Sequence, residues 1–191
     1  MMFEMSRRLV PRLLAGALLL LLAAGQGQAQ LMSFPDWYTL ANAAANNRSD
    51  EVAAILRRGD NPNFQDSSGR TPLGYAAANG NTAIVKLLLD GGARVDYRDG
   101  FGSMPLHWAA QMGHLDVVKM LLQAKAPVDL GNKQGITPLM IAADGNRGDI
   151  VRLLLQHGAD RRKQDFTGRD ALGWAAGRPN ALRALKAAGS G

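Results

Sequence analysis

The chain has 191 residues, 47% of them hydrophobic, with only three Trp, three Tyr and five Phe, so whatever it buries is an aliphatic core. Lys and Arg number 22 against 16 Asp and Glu, a formal +6, and cysteine is absent, which removes disulfides, thiol redox chemistry and cysteine metal sites from consideration. A core of Ala, Leu and Val packs thin layers of helix and suits stacked units better than one large globule.

In chain order the first element reads as an export signal, residues 1–29. It has a basic start at Arg7, Arg8 and Arg12, an apolar run from Leu13 to Ala24, and small residues at Gly27 and Ala29 ahead of a cleavage expected after Ala29. An apolar run of about a dozen residues falls short of the roughly 20 that span a bilayer, so an uncleaved anchor is the lesser reading. Ser6, Arg7 and Arg8 weakly echo a twin-arginine signal, but the leucine-rich run and Pro11 fit the general secretory route better. Without the signal the chain carries 19 Lys and Arg against 15 Asp and Glu, a formal +4. That mild charge and a periplasmic address argue against nucleic acid as a partner, and no membrane is expected to hold the chain after cleavage.

Residues 30–34 form a short lead, and then one pattern recurs five times at a spacing of 33 residues. The copies are YTLANAA from Tyr38, TPLGYAA from Thr71, MPLHWAA from Met104, TPLMIAA from Thr137 and DALGWAA from Asp170. Leu40, Leu73, Leu106, Leu139 and Leu172 share one register, each followed three residues on by an alanine pair.

Each period predicts two helices. Thr71 is a suitable N-cap with Pro72 at the first helical position, where proline loses nothing. The first helix presents Leu73, Ala76 and Ala77 and ends at Gly80. A second helix follows at once, with Ile84, Val85, Leu87, Leu88 and Leu89 apolar, Lys86 facing water and Gly92 at its end. Polar tips recur at Asp66 to Gly69, Asp99 to Gly102, Asn132 to Gly135 and Asp165 to Gly168, and read as turns.

Segments such as TPLGYAAANGNTAIVKLLLDGGA, MPLHWAAQMGHLDVVKMLLQAKA and TPLMIAADGNRGDIVRLLLQHGA resemble ankyrin repeats, over about residues 35–189. The resemblance implies an all-α solenoid of about five repeats, near residues 35–65, 66–98, 99–131, 132–164 and 165–189. Each would be a helix-turn-helix with a β-hairpin-like finger, the first and last copies acting as caps. Asn47 and Asn146 replace the turn glycines Gly80 and Gly113, a swap asparagine tolerates well. Lys125 replaces the helix-ending glycine found at Gly59, Gly92, Gly158 and Gly189, which is expected to cost about 1 kcal/mol if the backbone stays left-handed.

Nothing in the chain matches a catalytic or phosphate-binding motif, and no cofactor is implied. His107, His114 and His157 fall where the family places structural histidines, and His107 is expected to bridge neighbouring loops. Glycine-rich pieces such as residues 99–102 recur at the tips and are turns rather than phosphate cradles. Lys86, Lys119 and Arg152 align along the second helices and read as a solvated face diluted by Asp116 and Asp149, rather than a membrane stripe.

Function is therefore expected on the concave face, where the resemblance places variable residues. These are Ser67, Ser68, Arg70, Ala78 and Asn79 in the second copy, and Arg98, Phe101, Ser103, Gln111 and Met112 in the third. The fourth adds Lys133, Gln134, Ile136 and Asp144, and the fifth Gln164, Phe166, Arg169 and Arg178. Their Arg, Lys and Phe content points to a protein partner with an acidic surface and apolar pockets. The bland reading has Phe101 and Phe166 packing between adjacent fingers. The expected protein is a monomeric, non-enzymatic periplasmic binding module; the alternatives are a secreted effector or inhibitor and, less favoured, an enzyme or small-ligand protein.

Overall fold

The computed structural model describes residues 36–187; the expected signal, the lead at 30–34 and Gly189 lie outside them. The described residues form five helix-turn-helix pairs: α1 (Asp36–Ala45) with α2 (Ser49–Arg57), α3 (Pro72–Asn79) with α4 (Thr82–Asp90), α5 (Pro105–Met112) with α6 (Leu115–Gln123), α7 (Pro138–Asp144) with α8 (Gly148–Gln156), and α9 (Ala171–Trp174) with α10 (Pro179–Ala187). First helices pack on first helices and second on second along the chain, which is the contact pattern of a solenoid. The described residues contain no strand, so the hairpin-like fingers are built from turns alone.

The leucine register explains the stack. Leu40, Leu73, Leu106 and Leu139 are wholly buried, as are the alanine pairs beside them, because each is covered by the next first helix. Leu172 holds the same register and is 38% exposed, since no described helix follows to cover it. The first helix of the fifth copy, α9, is only four residues long, and this copy is the last among the described residues. On the second helices Ile84, Val117, Val118, Ile150, Val151 and Leu154 complete one continuous aliphatic core.

Helix ends follow the sequence closely. Thr71 and Thr137 cap α3 and α7 by accepting from Gly74 N and Met140 N at 3.2 and 3.4 Å, and Asp170 caps α9 from Gly173 N at 2.8 Å. Asn47 and Asn146 take positive φ, 59° and 54°, as glycine substitutes should. Lys125 does so too, at 64°, matching Gly92 at 85° and Gly158 at 89°. Lys125→Gly is accordingly expected to stabilise the protein by about 1 kcal/mol, raising Tm by roughly 2–4 °C. A melting curve that is unchanged or lower would show that the left-handed backbone carries no strain here.

Candidate binding surface

Four fingers, residues 66–70, 99–103, 132–136 and 165–169, share one construction. The Asp or Asn that opens each finger accepts, through one side-chain oxygen, the backbone N–H groups two and four residues on. The distances are 2.8 and 3.0 Å at Asp66, 2.9 and 2.9 Å at Asp99, 2.9 and 3.1 Å at Asn132, and 2.8 and 3.0 Å at Asp165. Adjacent fingers are then tied by one backbone bond each: Gly100 N to Ser68 O at 2.7 Å, Lys133 N to Phe101 O at 3.0 Å, and Phe166 N to Gln134 O at 3.1 Å. The approach is close enough that a Cβ on Gly102, at φ 76°, would sit 2.9 Å from Lys133 N. The fingers therefore form a single ledge.

The second oxygen of each finger aspartate takes an aromatic donor nine residues on. Tyr75 Oη donates to Asp66 at 2.5 Å, Trp108 Nε1 to Asp99 at 2.8 Å, and Trp174 Nε1 to Asp165 at 3.0 Å. In the fourth copy both partners change together: Asn132 replaces the aspartate and Ile141 the aromatic ring. Arginines cover the rings, with Arg70 3.9 Å above Trp108 and 5.0 Å from Tyr75, and Arg169 4.0 Å above Trp174. Burial alone would raise the Asp66 carboxyl, but hydrogen bonds from Ser68, Tyr75 and two backbone N–H groups hold it below its ordinary 3.8. At Asp165 the Thr167 hydroxyl, two backbone N–H groups and Trp174 outweigh desolvation and bring the carboxyl down to about 2.

This network changes the standing of the expected anchors. Arg70 is only 19% exposed, lies 3.9 Å from Asp99 and leaves its Nε buried without an acceptor; it clamps two fingers to the aromatic row and is not a free anchor. Arg98 donates Nε to Gly102 O and Nη2 to Gly131 O, stitching its own finger to the next. Arg178 donates to Asp144 O at 2.6 Å and lies 3.3 Å from the Asp144 carboxylate, tying the fourth copy to the fifth. Arg169 bonds Thr167 Oγ1 at 3.2 Å but keeps half its side chain in water. Lys133 is exposed and forms no ion pair among the described residues, and Gln111 and Gln134 are also exposed. Phe101 is 61% exposed, Met112 is exposed, and Phe166 is 80% exposed although one edge of its ring rests on Gly135 of the preceding finger. Packing between fingers, the alternative reading, thus engages one edge of Phe166 and leaves both rings largely open.

A family model described as ankyrin repeats (3 copies) matches residues 40–133 and 124–190. The chain belongs to the ankyrin-repeat family. No curated protein matches it. Ankyrin repeats generally mediate protein–protein interaction and are typically not enzymes.

The histidines of this ankyrin stack are spent on structure. His107 is 1% exposed; its Nδ1 accepts from Met104 N at 3.2 Å, so Nε2 carries the proton and donates to Ile136 O in the next finger at 3.2 Å. Burial pushes it down to about 4. His114 Nε2 meets Ala78 O at 3.0 Å, and His157 Nδ1 meets Leu153 O at 2.9 Å. Among the described residues no group of three or more His, Asp or Glu is placed to hold a metal ion, and no helix is long and apolar enough to cross a membrane. Lys86, Lys119 and Arg152 each pair with an aspartate on the same helix, Asp90, Asp116 and Asp149, as a solvated face does.

The Asp-to-aromatic pairing is the feature of the ledge that reading the residues singly misses. A usable signal existed in the sequence: the nine-residue spacing occurs three times, and both members are lost at once in the fourth copy.

Proposed function

We propose that this protein is an exported, periplasmic docking module that binds one partner protein on the finger ledge. The observation that carries the reading is the pair of phenylalanines, Phe101 and Phe166, held largely in water on turns that inter-finger backbone bonds make rigid. Exposed rings on a pre-organised surface bury area on binding at little conformational cost. With Arg70, Arg98 and Arg178 engaged internally, the centre of the partner's face is apolar. Its carboxylates lie at the rim, opposite Lys133 and the open side of Arg169. Such a ledge can supply the roughly 800 Å² per partner that a standard interface buries.

A photo-crosslinking residue at Phe101 or Phe166, introduced in the native cell, is expected to trap one protein species in the periplasmic fraction. The same probe at Lys119, on the second helices, is expected to trap none. Phe101→Ala with Phe166→Ala should weaken the trapped complex at least about 100-fold, the loss of two interface anchors, while leaving Tm within a degree or two. Adducts confined to the Lys119 probe would move the site to the outer helices, and recovery in the medium would replace periplasmic residence with secretion.

A further inference from the structure

Charge is divided unevenly along the stack. Residues 36–131 carry nine Lys and Arg against ten Asp and Glu, whereas residues 132–187 carry ten against five. Part of that excess gathers at a groove of about 490 Å³ at the far end of the first helices from the fingers, lined by Arg147, Arg152 and Arg183 with Asp149 as its one carboxylate. Arg152 and Asp149 pair with each other. The exposed Arg147 side chain lies against the preceding repeat. It donates to Met112 O at 3.5 Å and lies against bare Gly113, where a Cβ would stand 2.6 Å from the guanidinium carbon. Neither Arg147 nor exposed Arg183 forms an ion pair among the described residues. Along the second helices Lys86, Lys119 and Arg152 are each matched by an acid on the same helix, whereas Arg147 and Arg183, which line this groove, are not.

We propose that this groove is a second binding site, separate from the finger ledge, for a ligand bearing a doubly charged phosphate monoester or pyrophosphate group. Two uncompensated guanidiniums match a dianion in charge, and their planar forks present paired N–H groups to tetrahedral phosphate oxygens. A single carboxylate would satisfy one arginine only. The volume falls in the range of small-ligand sites, about 300–1,000 Å³.

The test is titration calorimetry of the full chain with inorganic pyrophosphate at low salt. One saturable site is expected, weakened at least about tenfold by Arg147→Gln with Arg183→Gln at unchanged helicity and Tm, and unaffected by Phe101→Ala with Phe166→Ala. Malonate should bind at least about tenfold more weakly than pyrophosphate. Flotation with phosphatidic acid vesicles identifies the source of the phosphate. Vesicle binding that pyrophosphate displaces and the double arginine variant lacks places it on a lipid surface; pyrophosphate binding without flotation makes it a free ligand. Absence of a saturable pyrophosphate site, its survival in the double arginine variant, or equal affinity for malonate would overturn the proposal.

Discussion

Asp99→Asn is expected to destabilise the protein by about 2–4 kcal/mol, despite being nearly isosteric. One carboxylate oxygen of Asp99 accepts two backbone N–H groups and the other accepts the Trp108 indole. An amide supplies only one acceptor oxygen, so either the finger turn or the indole is left facing an N–H donor. The substitution also removes the carboxylate nearest Arg70, whose Nε is already buried without a partner. The protein contains its own solution to this problem in Asn132 and Ile141, where the finger keeps its turn bonds and the ring is replaced by an aliphatic side chain that asks for no acceptor. Asp99→Asn with Trp108→Ile should therefore cost at least about 1 kcal/mol less than the sum of the two single changes, the size of coupling typical of directly paired side chains. Urea unfolding of the four proteins in that cycle measures it. Strict additivity would mean that the Asp99–Trp108 bond couples nothing, and that the joint change in the fourth copy has another cause.

The architecture was legible because each repeat obeys local rules that stacking then reinforces. Leu73, Leu106 and Leu139 sit where a 33-residue register places them, and Asn47, Lys125 and Asn146 adopt the left-handed backbone that their alignment with glycines requires. The candidate binding surface was less legible, because exposure at a finger depends on what the neighbouring finger offers. Arg70 and Arg98 look like recognition groups when read one position at a time. In the fold, Arg70 reaches across to the ring of the next repeat, while Arg98 finds carbonyl oxygens on its own finger and at Gly131. Phe101 and Phe166 stay open for the complementary reason: their own backbone groups hold the fingers together, which leaves the rings pointing away from any core. The arginine groove escaped the sequence reading because Arg147 and Arg183 lie 36 residues apart and occupy different positions of their repeats.

Stability is expected to fall by about 3 kcal/mol as pH drops from 6.5 to 4, with His107 as the single largest source. His107 titrates near its ordinary 6.5 when unfolded and at about 4 when folded. Between those values the unfolded chain binds the proton and the folded chain does not, so acid favours unfolding; below 4 both states are protonated and this contribution stops changing. The cause is geometric. Protonating the ring would put an N–H on Nδ1 against the Met104 N–H that Nδ1 now accepts, inside a site almost free of water. Asp165 and Asp66 act in a lower window and in the usual carboxylate sense. Their folded values are depressed, so the stability they contribute is present above 3.8 and is lost as pH falls from 3.8 towards about 2 at Asp165. His107→Gln keeps one acceptor for Met104 and one donor for Ile136 but cannot titrate. Denaturant midpoints collected from pH 7 to pH 3 should show the upper limb flattened in that variant and the lower limb retained. An upper limb that survives in His107→Gln would assign the acid sensitivity to another group and remove His107 from the account.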